Sequence, residues 1–128
     1  MAAPTIESRR RPRFILLSGD ESLAASLTAA LPEGWSMTRA GDVEALGGFE
    51  EILQHRFLFL DLDDAAIDPA AALGALRRDL MLNIPVLCLG GSKAQRDAAR
   101  RARADRFFER ADAVERMRQF CAQYGWGG

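Results

Sequence analysis

The residues of this chain best suited to chemistry are clustered carboxylates. Asp61, Asp63, Asp64 and Asp68 follow directly on the apolar run Phe57-Leu58-Phe59-Leu60. Asp61, at the end of such a run, could be a reactive acid or a strand terminator facing solvent. Asp63, Asp64 and Asp68 could be metal ligands, but they also suit a solvated turn and a helix cap before Pro69. A second polar cluster, Ser18-Gly19-Asp20-Glu21-Ser22, follows Phe14–Leu17. Its hydroxyls and glycine could form a phosphate-binding loop, although Asp20 and Glu21 would repel a phosphate. His55, Cys88 and Cys121 complete the soft ligands, too few for the four of a structural zinc. His55 has no partner of ligand type at useful spacing and is expected at the surface. Cys88 is expected to pack as a small core hydrophobe.

The chain that must position these groups has 128 residues, 48% hydrophobic and 27% charged. That is one globular domain, long enough to bury about two-thirds of its unfolded surface without a metal or disulfide. Lys plus Arg number 17 and Asp plus Glu 18, a net charge of -1, so no overall charge draws the chain to nucleic acid or anionic lipid. The apolar runs fall far below the ~20 residues of a membrane span. Phe14–Leu17 is too short for a signal-peptide core, so no membrane association and a cytoplasmic location are expected. Residues 1–12, with Arg9-Arg10-Arg11, read as a flexible tail, 13–123 as the folded domain and 124–128 as a C-terminal tail.

Within 13–123 short apolar runs alternate with helical spacing. Phe14–Leu17, Trp35–Arg39, Phe57–Leu60, Pro85–Leu89 and Arg106–Phe108 have the length of strands. Between and after them Leu23, Leu27 and Leu31 share a helical face, as do Val43, Leu46 and Leu53, then Leu73, Leu76 and Leu80, then Val114, Met117 and Cys121. Asp20, Asp42, Asp68, Ser92 and Asp112 stand where N-caps are needed, and Asp112 with Glu115 has capping-box spacing. The helix from Ser92 to Ala104 has only Ala94, Ala98 and Ala102 for its inward face. Gly47-Gly48 weakens the second helix. Both are expected to open locally. Alternating strands and helices imply a parallel sheet covered on both faces, with its site at the carboxyl ends of the strands.

The order and spacing of these segments resemble the receiver domain of response regulators over residues 13 to about 123. Arg13-Phe-Ile-Leu-Leu-Ser-Gly-Asp20 is similar to the opening strand and turn, Phe57-Leu-Phe-Leu-Asp61 to the third strand, Ile84-Pro-Val-Leu-Cys-Leu-Gly90 to the fourth, and Arg103–Ala111 to the fifth. The resemblance implies a flavodoxin-like α/β fold with five parallel strands in the order 2-1-3-4-5. It places the phosphoacceptor at Asp61, the Mg²⁺-holding acidic pair at Ser18 and Gly19, and the phosphoryl-sensing hydroxyl at Gly90. It places the lysine at Arg110, the proline at Ala111 and the switch aromatic at Phe107.

Most of that chemistry is missing. Phosphoryl transfer to a carboxylate relies on Mg²⁺ and a cation to offset repulsion between anions. Ser18 and Gly19 offer no carboxylate, so Asp20, Asp61 and Asp63 would form at best a weak Mg²⁺ site, and no other cofactor is expected. Gly90 has lost its hydroxyl. Arg110 keeps a charge in a different geometry. The resemblance therefore implies a degenerate receiver of bacterial two-component signalling, not an enzyme, acting through protein contacts with little or no phosphorylation. An atypical receiver phosphorylated at Asp61 is the alternative, and a flavin- or small-ligand-binding protein of flavodoxin type the third. Between Lys93 and Arg118 there are nine positive and five negative side chains. In receiver-like proteins this face meets partners, and here a histidine kinase, an output protein or a second copy is expected, while nucleic acid is not.

Overall fold

The structure is a computed structural model and describes residues 11–125. Arg9, Arg10 and residues 126–128 of the two expected tails lie outside them. Five strands form one parallel sheet: β1 (Arg13–Leu17), β2 (Ser36–Ala40), β3 (Leu58–Asp61), β4 (Val86–Leu89) and β5 (Arg106–Phe108), in the order β2-β1-β3-β4-β5. The helices are α1 (Glu21–Ala29), α2 (Phe49–Leu53), α3 (Pro69–Gly74), α4 (Lys93–Arg101) and α5 (Ala113–Tyr124). Sheet order and strand positions agree with the expectation, each strand start lying within one residue of it.

Alternation along the strands builds two apolar layers, because successive side chains leave opposite faces of a sheet. Ile15, Leu17, Leu58, Leu60, Val86 and Cys88 pack on one side with Ile52, Leu73, Leu76 and Ala99. Phe14, Leu16, Phe57, Phe59, Leu87 and Leu89 pack on the other with Leu23, Leu27, Met117, Phe120 and Cys121. Phe57 anchors the second layer. It stacks on Phe14 with ring centroids 4.9 Å apart and meets Phe59 edge-on at 5.5 Å. β3, buried on both faces, is the central strand that holds Asp61 in place.

Four features differ from the sequence expectation. The second helix is broken: a 3-10 turn (Glu44–Leu46) precedes α2, and Gly47 between them has φ 89°. Asp42 caps that turn through the amide of Ala45 (2.8 Å), while Leu53 is exposed instead of sharing the buried face. In α4 the fully buried residue is Ala99, and Ala94 is exposed. The register is set by the Ser92–Gln95 capping box that starts the helix. Asp112 makes no side-chain cap, because it belongs to a 3-10 turn (Arg110–Asp112) leading into α5. His55 is half-buried and not at the open surface, with its Nε2 2.8 Å from Thr38 Oγ1 on β2.

After α3 the chain passes through a π-helical turn (Ala75–Asp79), closed by the Leu80 amide on the Ala75 carbonyl at 2.9 Å. The turn brings Arg77 inward. Its guanidinium donates to the carbonyls of Leu82 (2.9 Å), Ile84 (2.8 Å) and Arg103 (3.2 Å) and pairs with Asp105 at 2.8 Å. Asp105 in turn accepts the Val86 amide at 2.8 Å. One buried cation thus ties the approaches to β4 and β5 together, and those strands deliver Gly90 and Arg110 to the site.

Candidate functional site

The carboxyl ends of β1 and β3 and the turn after β5 meet at Asp61. Asp61 is 1% exposed, and a buried carboxylate must be paired and hydrogen-bonded. Ser18 Oγ donates to its Oδ2 at 2.6 Å, and the Asp63 amide donates to its Oδ1 at 3.0 Å. The guanidinium of Arg110 supplies the counter-charge, binding Asp61 Oδ1 through Nη1 and Asp20 Oδ2 through Nη2. Nη1 also lies 3.7 Å from Asp63 Oδ2. The sequence-derived residues Asp20, Asp61, Asp63 and Arg110 are therefore brought together, with Arg110 at their centre.

Asp20 does two jobs. Its Oδ1 caps α1, accepting the amides of Ser22 (2.8 Å) and Leu23 (3.2 Å), while Oδ2 meets Arg110. The Leu23 amide and the Arg110 side chain hold its carboxyl below the ordinary 3.8. For Arg110, burial works against the charge, but hydrogen bonds to Asp61 and Asp20 outweigh it and raise its affinity for the proton. Arg39 steadies the loop from below, donating to the Ser18 carbonyl (3.1 Å) and to Glu21 (2.9 Å).

Two further residues belong to the site, Ser18 and Asp64, and Asp63 makes a contact there besides the one to Arg110. Ser18 does more than lack a carboxylate: its hydroxyl donates to Asp61 and accepts the Asp20 amide at 3.0 Å. Asp64 turns back to accept the Gly19 amide at 2.6 Å. Asp63 accepts the Gly91 amide at 2.9 Å. Gly90 and Gly91 both have left-handed backbones, at φ 68° and 87°. A Cβ at Gly90 would collide with Asp63 Oδ2, and one at Gly91 would lie 2.7 Å from Leu62 Cβ. The acids after Asp61 thus occupy space left free by glycines on the neighbouring loops. The legible signal is that pairing of bare positions, Gly19 and Gly90-Gly91, with two consecutive acids in the facing loop.

No family model matches the sequence, and no curated protein matches it. Solved structures do match. The response-regulator signal receiver domain from Bermanella marisrubri superposes with a TM-score of 0.72 at 19% identity, covering 88% of this chain and 96% of that one. A putative response regulator from Chloroflexus aurantiacus J-10-fl gives 0.64 at 18%, covering 89% and 97%. The receiver domain of a Pseudomonas aeruginosa PAO1 sensor histidine kinase, with magnesium coordinated in its active-site cleft, gives 0.67 at 12%, covering 89% and 97%. The chain has the receiver fold. On that receiver fold Asp61 lies at the carboxyl end of the central strand, where the resemblance in sequence puts the phosphoacceptor.

Proposed function

We propose that this chain is a receiver-like module of bacterial two-component signalling that acts through protein contacts, with little or no phosphorylation of Asp61. The observation that carries this reading is the seat of Arg110 between Asp61 and Asp20. A carboxylate attacking phosphorus needs a free oxygen and a cation that can also hold the incoming phosphoryl group. Here Ser18 and Arg110 engage the two oxygens of Asp61.

The donor set also fits a divalent ion badly. Mg²⁺ demands near-octahedral oxygen ligands. Among the described residues no three Asp, Glu, His or Cys side chains converge to hold a metal, and a guanidinium lies among the nearest carboxylates.

On this reading the chain is a binding module with no catalytic turnover, and it resides in the cytoplasm. No helix among the described residues is long and apolar enough to cross a membrane. The partner surface is the basic face from Lys93 to Arg118. Part of its charge is already used: Lys93 and Arg100 pair with Asp97, and Arg96 with Glu109. Arg101, Arg103 and Arg106 are exposed, which suits an acidic surface on a histidine kinase, an output protein or a second copy. Complementary charge of this kind raises association rates and selects partners.

One observation favours a second reading. Asp20, Asp61 and Arg110 converge on a single point, as an atypical but working receiver phosphorylated at Asp61 would need, with Asp20 reaching a weakly held ion. An amide NMR titration with Mg²⁺ followed by beryllofluoride, a phosphoryl mimic, separates the two. The expected outcome is an unchanged spectrum at Asp20, Asp61 and Gly90. Saturating shifts at those residues would establish the working receiver instead.

A further inference from the structure

We propose that the Asp63 carboxylate is a built-in anion that pins the β4–α4 loop to the site, so that the start of α4 is held in one arrangement with no added group. The inference deepens the reading above and rests on it.

The loop has little means of fixing itself. Gly90 and Gly91 carry no side chains, and their consecutive left-handed conformations are ones that most residues avoid. From the β3 side Asp63 reaches across. Its Oδ1 takes the Gly91 amide at 2.9 Å, and its Oδ2 fills the place a Cβ on Gly90 would need while lying 3.7 Å from Arg110. Ser92, the next residue, caps α4. A single carboxylate therefore touches an amide one residue before the helix cap and a cation on the turn before α5.

Asp63 is 47% exposed at its side chain, so apolar packing does not force it inward. Water would solvate the carboxylate equally well in an outward rotamer. Its inward position is set by the amide it accepts and by the nearby guanidinium, and only glycine at position 90 leaves the room. The opposite side of the loop is held by Arg96, whose Nε donates to the Gly90 carbonyl at 3.0 Å, and by the Gly90 amide on the Phe108 carbonyl at 3.0 Å. The first ties the loop to α4 and the second seats it on β5. Asp63 ties it to β3 and Asp61.

The test is hydrogen exchange and amide NMR on the 128-residue chain, comparing the native protein with Asp63→Ala. Because Asp63 is exposed, the variant keeps its core. Loss of one charge-assisted hydrogen bond is expected to speed Gly91 exchange about tenfold, with shift changes running from Gly91 into the first turn of α4. Native exchange and native shifts in Asp63→Ala would overturn the proposal, as would an unprotected Gly91 amide in the native protein. Its failure is distinct from failure of the functional reading, which would appear as beryllofluoride shifts at Asp61 in the native chain.

Discussion

At the scale of single residues, this molecule repeatedly satisfies buried polar atoms with groups from distant segments. His55 is the clearest case. Its Nδ1 lies 3.0 Å from the Glu51 carbonyl, which can only accept, so Nδ1 carries the proton and Nε2 accepts from Thr38 Oγ1. Burial strips solvent from the charged ring and Arg13 repels it, so its pKa falls below the ordinary 6.5. The sign follows from linkage: the unfolded chain takes up the proton before the folded one. Stability is full above about pH 6.5 and is lost as pH falls from there through the folded midpoint. His55 is the single histidine, so its ring protons can be followed by NMR without ambiguity. The expected midpoint is below 6.5, and His55→Gln should remove the dependence of stability on pH in that window. A midpoint at or above 6.5 would contradict the burial argument.

At the scale of elements, the polar anchor is Arg77 in the π-helical turn after α3. Replacing it with Ala leaves three carbonyls and Asp105 without their donor, at a cost of about 3 kcal/mol. Urea unfolding of Arg77→Ala should show that loss. Arg77→Lys should recover only part of it, because an ammonium cannot reproduce the planar fork. A midpoint within error of native for Arg77→Ala would refute the role. The sheet was legible in the sequence because β1, β3 and β4 are apolar runs closed by turn residues. Asp20, Asp68 and Ser92 were legible as caps because their side chains act within three residues. Arg77 was not legible, since nothing local marks an arginine as buried, and its partners lie between five and 28 positions away. The break at Gly47 was foreshadowed by the glycine pair but read as weakness instead of interruption. At the site, Asp61 and Arg110 could be placed by resemblance. The parts played by Ser18, Asp63 and Asp64 depend on loops meeting in space, which spacing along the chain does not encode.

At the scale of the whole molecule, the two layers differ in how well their helices cover the sheet. α1 and α5 bring Leu23, Leu27, Met117 and Phe120 to one face, reinforced by the aromatic contacts around Phe57. On the other face α2 has five residues and α4 buries only Ala99, so less apolar area holds those helices down. Each layer contains one cysteine, Cys88 on the side of α2, α3 and α4 and Cys121 on the side of α1 and α5. Burial pushes both thiols up to about 12, with the charge of Asp105 adding to the effect at Cys88. Neither should react with a thiol reagent in the native state. As denaturant is raised, Cys88 is expected to label before Cys121, because α2 and α4, the helices held by least apolar area, lie on its side of the sheet. Simultaneous labelling would mean that the sheet and both layers unfold as one unit.

The interlock between Asp63 and Gly90 also constrains the order in which this sequence can change. A side chain introduced at position 90 meets the Asp63 carboxylate and a left-handed backbone together, so that substitution is disfavoured while Asp63 remains. Replacing Asp63 first clears the space but releases the loop that position 90 belongs to. A hydroxyl at position 90 is therefore gained only with loss of the Asp63 contact, whether that carboxylate is replaced or swung out to solvent. Two changes that look independent on the page of a sequence are one coupled step in the molecule.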